Sequence, residues 1–286
     1  MTSSQAVQDA PAHAVTGWDN PQPVAPRGTV ILVAGRGEHP GVYERFGTRI
    51  AADGYKVRVV ADATSDEAAT RARVVELLDD PDLPGPRVLA GSDAGAAFVA
   101  ALVATGTGAR NQVDGVILAG LPTAGEPADG GTGESGTGDS GPAPADSWEN
   151  ELAERTACPT HQSRLSNDPL VRRGALLDPV PARWLAAADL GLVRVPVLAV
   201  HGAADLVSPV RAARASVAKA PSAEFVTIAG GRHDALNDAT HRTAAAVIVL
   251  FLERLRALPQ AAGGPAAGLA SPAPTLPLIA EWTSWA

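Results

Sequence analysis

Apolar residues fall along this chain in short blocks of two kinds. Six runs are rich in valine, isoleucine and leucine: Thr29–Ala34, Lys56–Ala61, 87–91, Val116–Ala119, Val195–His201 and Glu224–Ala229. Their length and β-branching suit strands buried on both faces. Between them, apolar positions recur at helical spacing. Val42, Phe46 and Ile50 stand four residues apart and predict an amphipathic helix over 41–53, ended by Gly54. Thr64-Ser65-Asp66-Glu67 has capping-box spacing and predicts a helix to about Leu78. Further helices are predicted over 94–106, from about Pro209 to Ala220 with Ser208 as N-cap, and over 239–257. Strand–helix alternation of this kind builds a mostly parallel sheet with helices on both faces.

Four segments break the alternation. Residues 1–27 are polar and proline-rich and read as a flexible arm with weak strand signals. Residues 124–146 are rich in Gly, Ser, Asp and Pro, a composition expected of a disordered loop. Residues 147–190 carry Trp148, Leu152, Leu165, Leu176 and Trp184, enough apolar content for a small helical cap. The tail 259–286 is rich in Ala and Pro and ends with Trp282 and Trp285, read as a segment docked on the domain. The core is thus expected over 28–123 and 191–258.

Composition narrows the function classes. The net charge of -8 gives nucleic-acid binding no electrostatic support. One cysteine, Cys158, excludes an internal disulfide, and no zinc-type spacing is present. The N-terminus lacks a basic region followed by an apolar core, and the longest apolar stretch, Ala244–Leu252, is too short to span a bilayer. A cytoplasmic protein without an integral membrane segment is expected, with no cofactor or metal.

Three candidate chemical groups fall at strand ends. Gly91-Ser92-Asp93-Ala94-Gly95 joins a strand to a small-residue helix, the setting of a nucleophile elbow. His201-Gly202-Ala203-Ala204-Asp205 and Gly230-Gly231-Arg232-His233-Asp234 follow two later strands. In an open parallel sheet such ends share one ligand-binding edge. The order nucleophile, acid, histidine is that of an α/β-hydrolase triad. Asp93 is the displayed residue; Ser92, one position earlier, is the alternative nucleophile. Asp205 would orient His233 as general base, and the N–H groups of Arg36 and Ala94 would form the oxyanion hole. His201 reads as a packed strand-end residue, and His39 as a residue ordering its own loop.

Val33-Ala34-Gly35-Arg36-Gly37-Glu38-His39-Pro40-Gly41-Val42-Tyr43 resembles the HGxGEHxGxY oxyanion loop of monoacylglycerol lipases and lysophospholipases. The resemblance continues at Pro86–Ala96, His201–Asp205 and Gly231–Asn237, and covers most of 29–123 and 195–257, over half the chain. It implies an α/β-hydrolase fold and a cofactor-free hydrolase of a small organic or lipid-like substrate, an ester above all. The chain departs from the pattern at Ala34, where the family has histidine, and at Asp93, where it has serine. The glycine-rich segment that the family carries after Asp62 is also missing. An elbow aspartate is similar to that of epoxide hydrolases and haloalkane dehalogenases, where it attacks carbon covalently. A non-hydrolytic binding member of the fold is the third alternative.

Overall fold

The computed structural model describes residues 15–106, 112–123, 147–258 and 274–277. Seven strands form one sheet: β1 (Val15–Trp18), β2 (Thr29–Val33), β3 (Lys56–Val60), β4 (Arg87–Ser92), β5 (Gly115–Ala119), β6 (Val197–Gly202) and β7 (Ala223–Ile228). Their order is β1-β3-β2-β4-β5-β6-β7. β2 to β7 are parallel to their neighbours, and β1 runs antiparallel along β3, Val15 opposite Val60 and Trp18 opposite Val57. The six sequence-predicted strands are all present. The reading of 1–27 as a flexible arm is corrected over Val15–Trp18, which closes one sheet edge. That strand's signal was weak because only its Trp18 is large and apolar, and this ring packs against Gly47 of the first helix.

β2, β4 and β5 lie at the centre, and nearly every residue of them is buried, which accounts for their unbroken apolar runs. Five helices cover the faces: α1 (Glu44–Ala52), α2 (Glu67–Asp79), α3 (Ala94–Thr105), α7 (Val210–Val217) and α8 (His241–Arg256). The α2 cap is Asp66, whose carboxylate accepts the Ala69 N–H at 2.9 Å. α7 begins after Pro209 with no side-chain cap, which corrects the Ser208 N-cap. α3 is apolar on all sides because it lies between the sheet and the cap, its Phe98 edge-on to Trp184 at 5.2 Å between ring centroids.

The insertion 147–190 forms α4 (Trp148–Arg155), α5 (Pro159–Asn167), a 3-10 turn (Ala175–Leu177) and α6 (Ala182–Ala187). The loop expected over 124–146 lies outside the described residues, as do Trp282 and Trp285. Of the tail, residues 274–277 are described; Leu276 is buried and the Pro277 carbonyl accepts from Arg254 Nε at 2.9 Å. Among the described residues no helix is long and apolar enough to cross a membrane.

Candidate active site

β4 ends at Ser92, and the chain turns at once into α3. Asp93 makes the turn with φ 51° and ψ -125°, the one positive φ at a non-glycine residue among the described residues. Such a conformation costs on the order of 1–3 kcal/mol and is kept where the surroundings enforce it. They do so here by close approach: a Cβ on Gly95 would lie 2.4 Å from the Val33 carbonyl oxygen and 2.6 Å from that of Ala34. Only a glycine lets α3 start this near β2, and that proximity aims the Asp93 side chain at the β2 loop.

His233 sits on the loop after β7 and Asp205 on the loop after β6. These loops touch backbone to backbone, since a Cβ on Gly202 would stand 2.2 Å from the Arg232 carbonyl oxygen. The cap holds the histidine loop in turn: His233 N donates to the Glu154 carbonyl at 3.3 Å and Asp234 N to that of Arg155 at 2.8 Å. His233 is thereby placed between two carboxylates, Nδ1 at 2.9 Å from Asp205 Oδ2 and Nε2 at 3.1 Å from Asp93 Oδ1. Burial alone would lower the imidazole pKa, but the charge of Asp205 and the hydrogen bonds of both carboxylates outweigh it and raise it to about 10. Asp205 is saturated: Oδ1 accepts the N–H groups of Val207 and Ser208, each at 2.9 Å, and Oδ2 also meets His201 Nε2 at 3.1 Å. His201 is buried, its Nε2 on the Ser208 carbonyl at 2.7 Å. His39 accepts from Gly41 N at 3.2 Å and lies 2.8 Å from Asp168, so it orders its own loop.

Arg36 departs from the sequence reading. Its backbone N–H does stand at the elbow, 3.0 Å from Asp93 Oδ2, so the expected oxyanion donor is engaged by Asp93 itself. Its side chain folds over the same carboxylate, Nε to Oδ2 at 2.8 Å and Nη2 to Oδ1 at 2.7 Å, a buried two-pronged pair. Nη1 is fixed by the carbonyls of Leu176, at 3.1 Å, and Asp178 in the cap. Burial would raise the Asp93 pKa; Arg36 and His233 reverse that and hold it well below the carboxylate range. The sequence reading gives Arg36 only a backbone role, because the spacing of an oxyanion loop says nothing of where its side chain reaches. An arginine in the oxyanion loop facing an acid at the elbow was the available signal.

Ser92 is buried, and the Tyr43 hydroxyl donates to Glu38. His233 Nε2 faces Asp93 Oδ1 at 3.1 Å, and among the described residues no hydrogen bond joins His233 to Ser92. Tyr43 also accepts the Gly35 N–H at 3.0 Å, and Asp62 accepts that of Gly37 at 2.8 Å, so the Arg36 loop is tied on both sides. Arg155, wholly buried, donates to the Arg36 carbonyl at 2.7 Å and to Glu151 at 3.0 Å. Glu38, His161 and Asp234 lie close enough to share a metal ion. However, Arg155 Nη1 already stands 3.8 Å from Glu38 and 3.7 Å from Asp234, so a guanidinium supplies the positive charge there.

The chain matches no protein-family model and no curated protein sequence. Solved structures do match it. A soluble variant of a monoglyceride lipase from Saccharomyces cerevisiae, in complex with a substrate analog, superimposes with TM-score 0.64 at 14% identity, covering 84% of this chain and 91% of that one. A monoacylglycerol lipase from Paleococcus ferrophilus gives 0.61 at 18%, covering 84% and 97%. A putative non-heme bromoperoxidase from Mycobacterium tuberculosis gives 0.62 at 16%, covering 85% and 96%. With the sheet order and the elbow, these likenesses identify the architecture: the chain has the α/β-hydrolase fold.

Proposed function

We propose that the protein is a hydrolase of a small organic substrate with an ester-like bond, and that Asp93 is its covalent nucleophile. The observation that carries this is the position of His233, bonded to the orienting Asp205 on one nitrogen and set against Asp93 on the other. The two oxygens of Asp93 are distinct. Oδ2 lies on the Arg36 N–H and Nε, where an oxyanion hole belongs, and Oδ1 faces His233.

Attack on the acyl carbon of an ester would give a high-energy anhydride. Attack on a saturated carbon gives an ordinary ester, so the proposed substrate carries its leaving group on such a carbon: an alkyl ester of a strong acid, an epoxide or an alkyl halide. One Asp93 oxygen forms a bond to that carbon, and the carbon–leaving-group bond breaks with its electron pair on the leaving group. Arg36, having lost the charge of Asp93, stabilises that anion in its place. This is the electrophilic aid that cap tyrosines would otherwise supply; both tyrosines of the chain, Tyr43 and Tyr55, lie outside the cap.

The loss of the Asp93 charge also removes one of the two groups that keep His233 protonated. Its proton leaves to the product oxygen or to solvent. The neutral ring then takes a proton from water, which attacks the Asp93 carboxyl carbon. Arg36 N–H and Nε hold the resulting oxyanion on Oδ2. Collapse expels the alkoxide, which takes the proton from His233 and leaves as the alcohol; the carboxylic acid left on Asp93 then gives its proton to His233, which restores the ion pair. The lipase names of two neighbours support hydrolysis as the reaction class.

A specific observation favours a second reading, a non-hydrolytic binding protein. Both oxygens of Asp93 are engaged, and Asp93, Arg36 and His233 are 1%, 5% and 1% exposed, so Arg36 must swing away before any substrate reaches the carboxylate. A panel of alkyl esters, epoxides and alkyl halides separates the two. Turnover by the wild type that is lost in His233→Ala supports the hydrolase; no turnover of any panel member by the folded wild type supports the binding protein, and turnover unchanged in His233→Ala refutes the role given to His233.

A further inference from the structure

A second cleft, of about 760 Å³, opens between α1, the start of α5 and the start of α8, and no member of the Asp93–His233–Asp205 set lines it. Its volume falls in the range of small-molecule sites. Arg45, Arg49, Arg164, Arg242, His161 and His241 line it, against one carboxylate, Glu44. On a chain of net charge -8 this is a local reversal of sign. Glu44 is taken up by Arg164 at 2.7 Å, and Arg49 is 3.4 Å from Asp53. Among the described residues no carboxylate ion-pairs Arg45 or Arg242; Arg45 donates instead to Cys158 Sγ at 3.3 Å and to the Asn237 carbonyl.

Two helix N-termini add to this field. Thr160 and His161 are in the first turn of α5, and His241 and Arg242 in the first turn of α8, whose N-cap Thr240 makes no side-chain cap bond. The positive ends of helices and guanidinium groups without a carboxylate partner together favour anions with several oxygens. Two groups nearby register the field. Burial, followed by the charges of Arg45 and Arg242, depresses the His241 pKa. Burial pushes the Cys158 thiol up, yet the Arg45 hydrogen bond and the first N–H groups of α5 leave it below its ordinary value. Finally, one lining side chain that is almost wholly buried has a polar atom without a hydrogen-bond partner: Asn237 Oδ1, at 2% residue exposure. The Asn237 amide, turned over, presents N–H groups in place of that oxygen.

We propose that this cleft binds a small phosphate-bearing molecule, a phosphomonoester held by Arg45 and Arg242 over the first turns of α5 and α8. The probes are inorganic phosphate and glycerol phosphate, titrated by calorimetry at constant ionic strength, with chloride as the control anion. Saturable binding is expected in the wild type and in Asp93→Asn, which leaves the cleft intact. Arg45→Gln/Arg242→Gln removes both guanidinium groups and should weaken binding about tenfold or more; Arg242→Gln alone, at an exposed side chain, should keep the wild-type unfolding temperature and weaken binding severalfold. Equal affinity in the double variant, or no saturable binding of either probe, overturns the proposal. Vesicles containing phosphatidate form the other arm: binding to them without binding to soluble phosphate assigns the cleft to a membrane headgroup and overturns the small-molecule assignment.

Discussion

Replacing Arg36 by methionine removes the guanidinium that covers Asp93 and leaves a buried carboxylate with His233 as its cationic neighbour. The pair is two-pronged, at 2.8 and 2.7 Å, between side chains 6% and 2% exposed. Opposite charges about 4 Å apart attract by about 4 kcal/mol at an effective dielectric constant of about 20. Breaking a buried pair from one side costs about 3–5 kcal/mol. His233 at 3.1 Å keeps part of the compensation, while the lost bonds to the Leu176 and Asp178 carbonyls add about 1 kcal/mol each. The expected loss is therefore about 4 kcal/mol, or an unfolding temperature lower by about 10 °C in a chain of this size.

Asp93→Asn should cost a similar amount, because it strands Arg36. The double variant, with both charges gone, should lose far less than the two together, a coupling of about 3 kcal/mol. Urea unfolding of the four proteins, followed by fluorescence and circular dichroism to check for a single transition, measures the cycle. Costs that add to within about 0.5 kcal/mol would show that Arg36 and Asp93 are not paired in solution and would refute the closed site.

The pH dependence follows from His233, whose pKa is raised to about 10 from 6.5. Its stabilising contribution is complete below about pH 6.5 and is lost as pH rises through about 10. The urea midpoint of the wild type should fall across that range and that of His233→Gln should fall less; equal slopes would contradict the pairing. Asp93 behaves oppositely, its contribution present above its ordinary value of 3.8 and lost as pH falls below it. Gly202→Ala should destabilise the protein by about 1–3 kcal/mol and lower any turnover, because its Cβ would force apart the loops that carry Asp205 and His233. A Gly202→Ala protein with wild-type stability would show that these loops do not touch. Trp184→Ala should cost about 3–5 kcal/mol by thermal unfolding, since its ring fills the space between α3 and the cap and its N–H bonds to Glu67 at 2.8 Å.

The parallel sheet was legible because strands buried on both faces leave an unmistakable apolar run, as at Val30-Ile31-Leu32-Val33. β1 was not legible: an edge strand of four residues holds its place by pairing with β3, and VTGW carries little local preference. Asp93, Asp205 and His233 could be read together because strand ends in one sheet share an edge, so order in the chain implies proximity in space. The Arg36 side chain could not be placed in that way. Its reach depends on the φ of Asp93 and on the cap carbonyls of Leu176 and Asp178, 140 and 142 residues away. Arg155 was hidden for the same reason, since its partners are the Arg36 carbonyl and Glu151, the latter within its own short helix.

Whether Asp93 forms the covalent bond can be read from heavy-oxygen water. Water attacks the carboxyl carbon of the Asp93 ester in the second step, so each turnover in labelled water writes one heavy oxygen into that side chain. Trypsin releases it in the segment 88–110, where Asp93 is the sole acidic side chain. With a substrate found in the panel and enzyme in excess, that peptide should gain the mass of one heavy oxygen, and fragmentation should place it at Asp93. Substrate consumed with Asp93 unlabelled, or no turnover of any panel member by the folded protein, would contradict the claim.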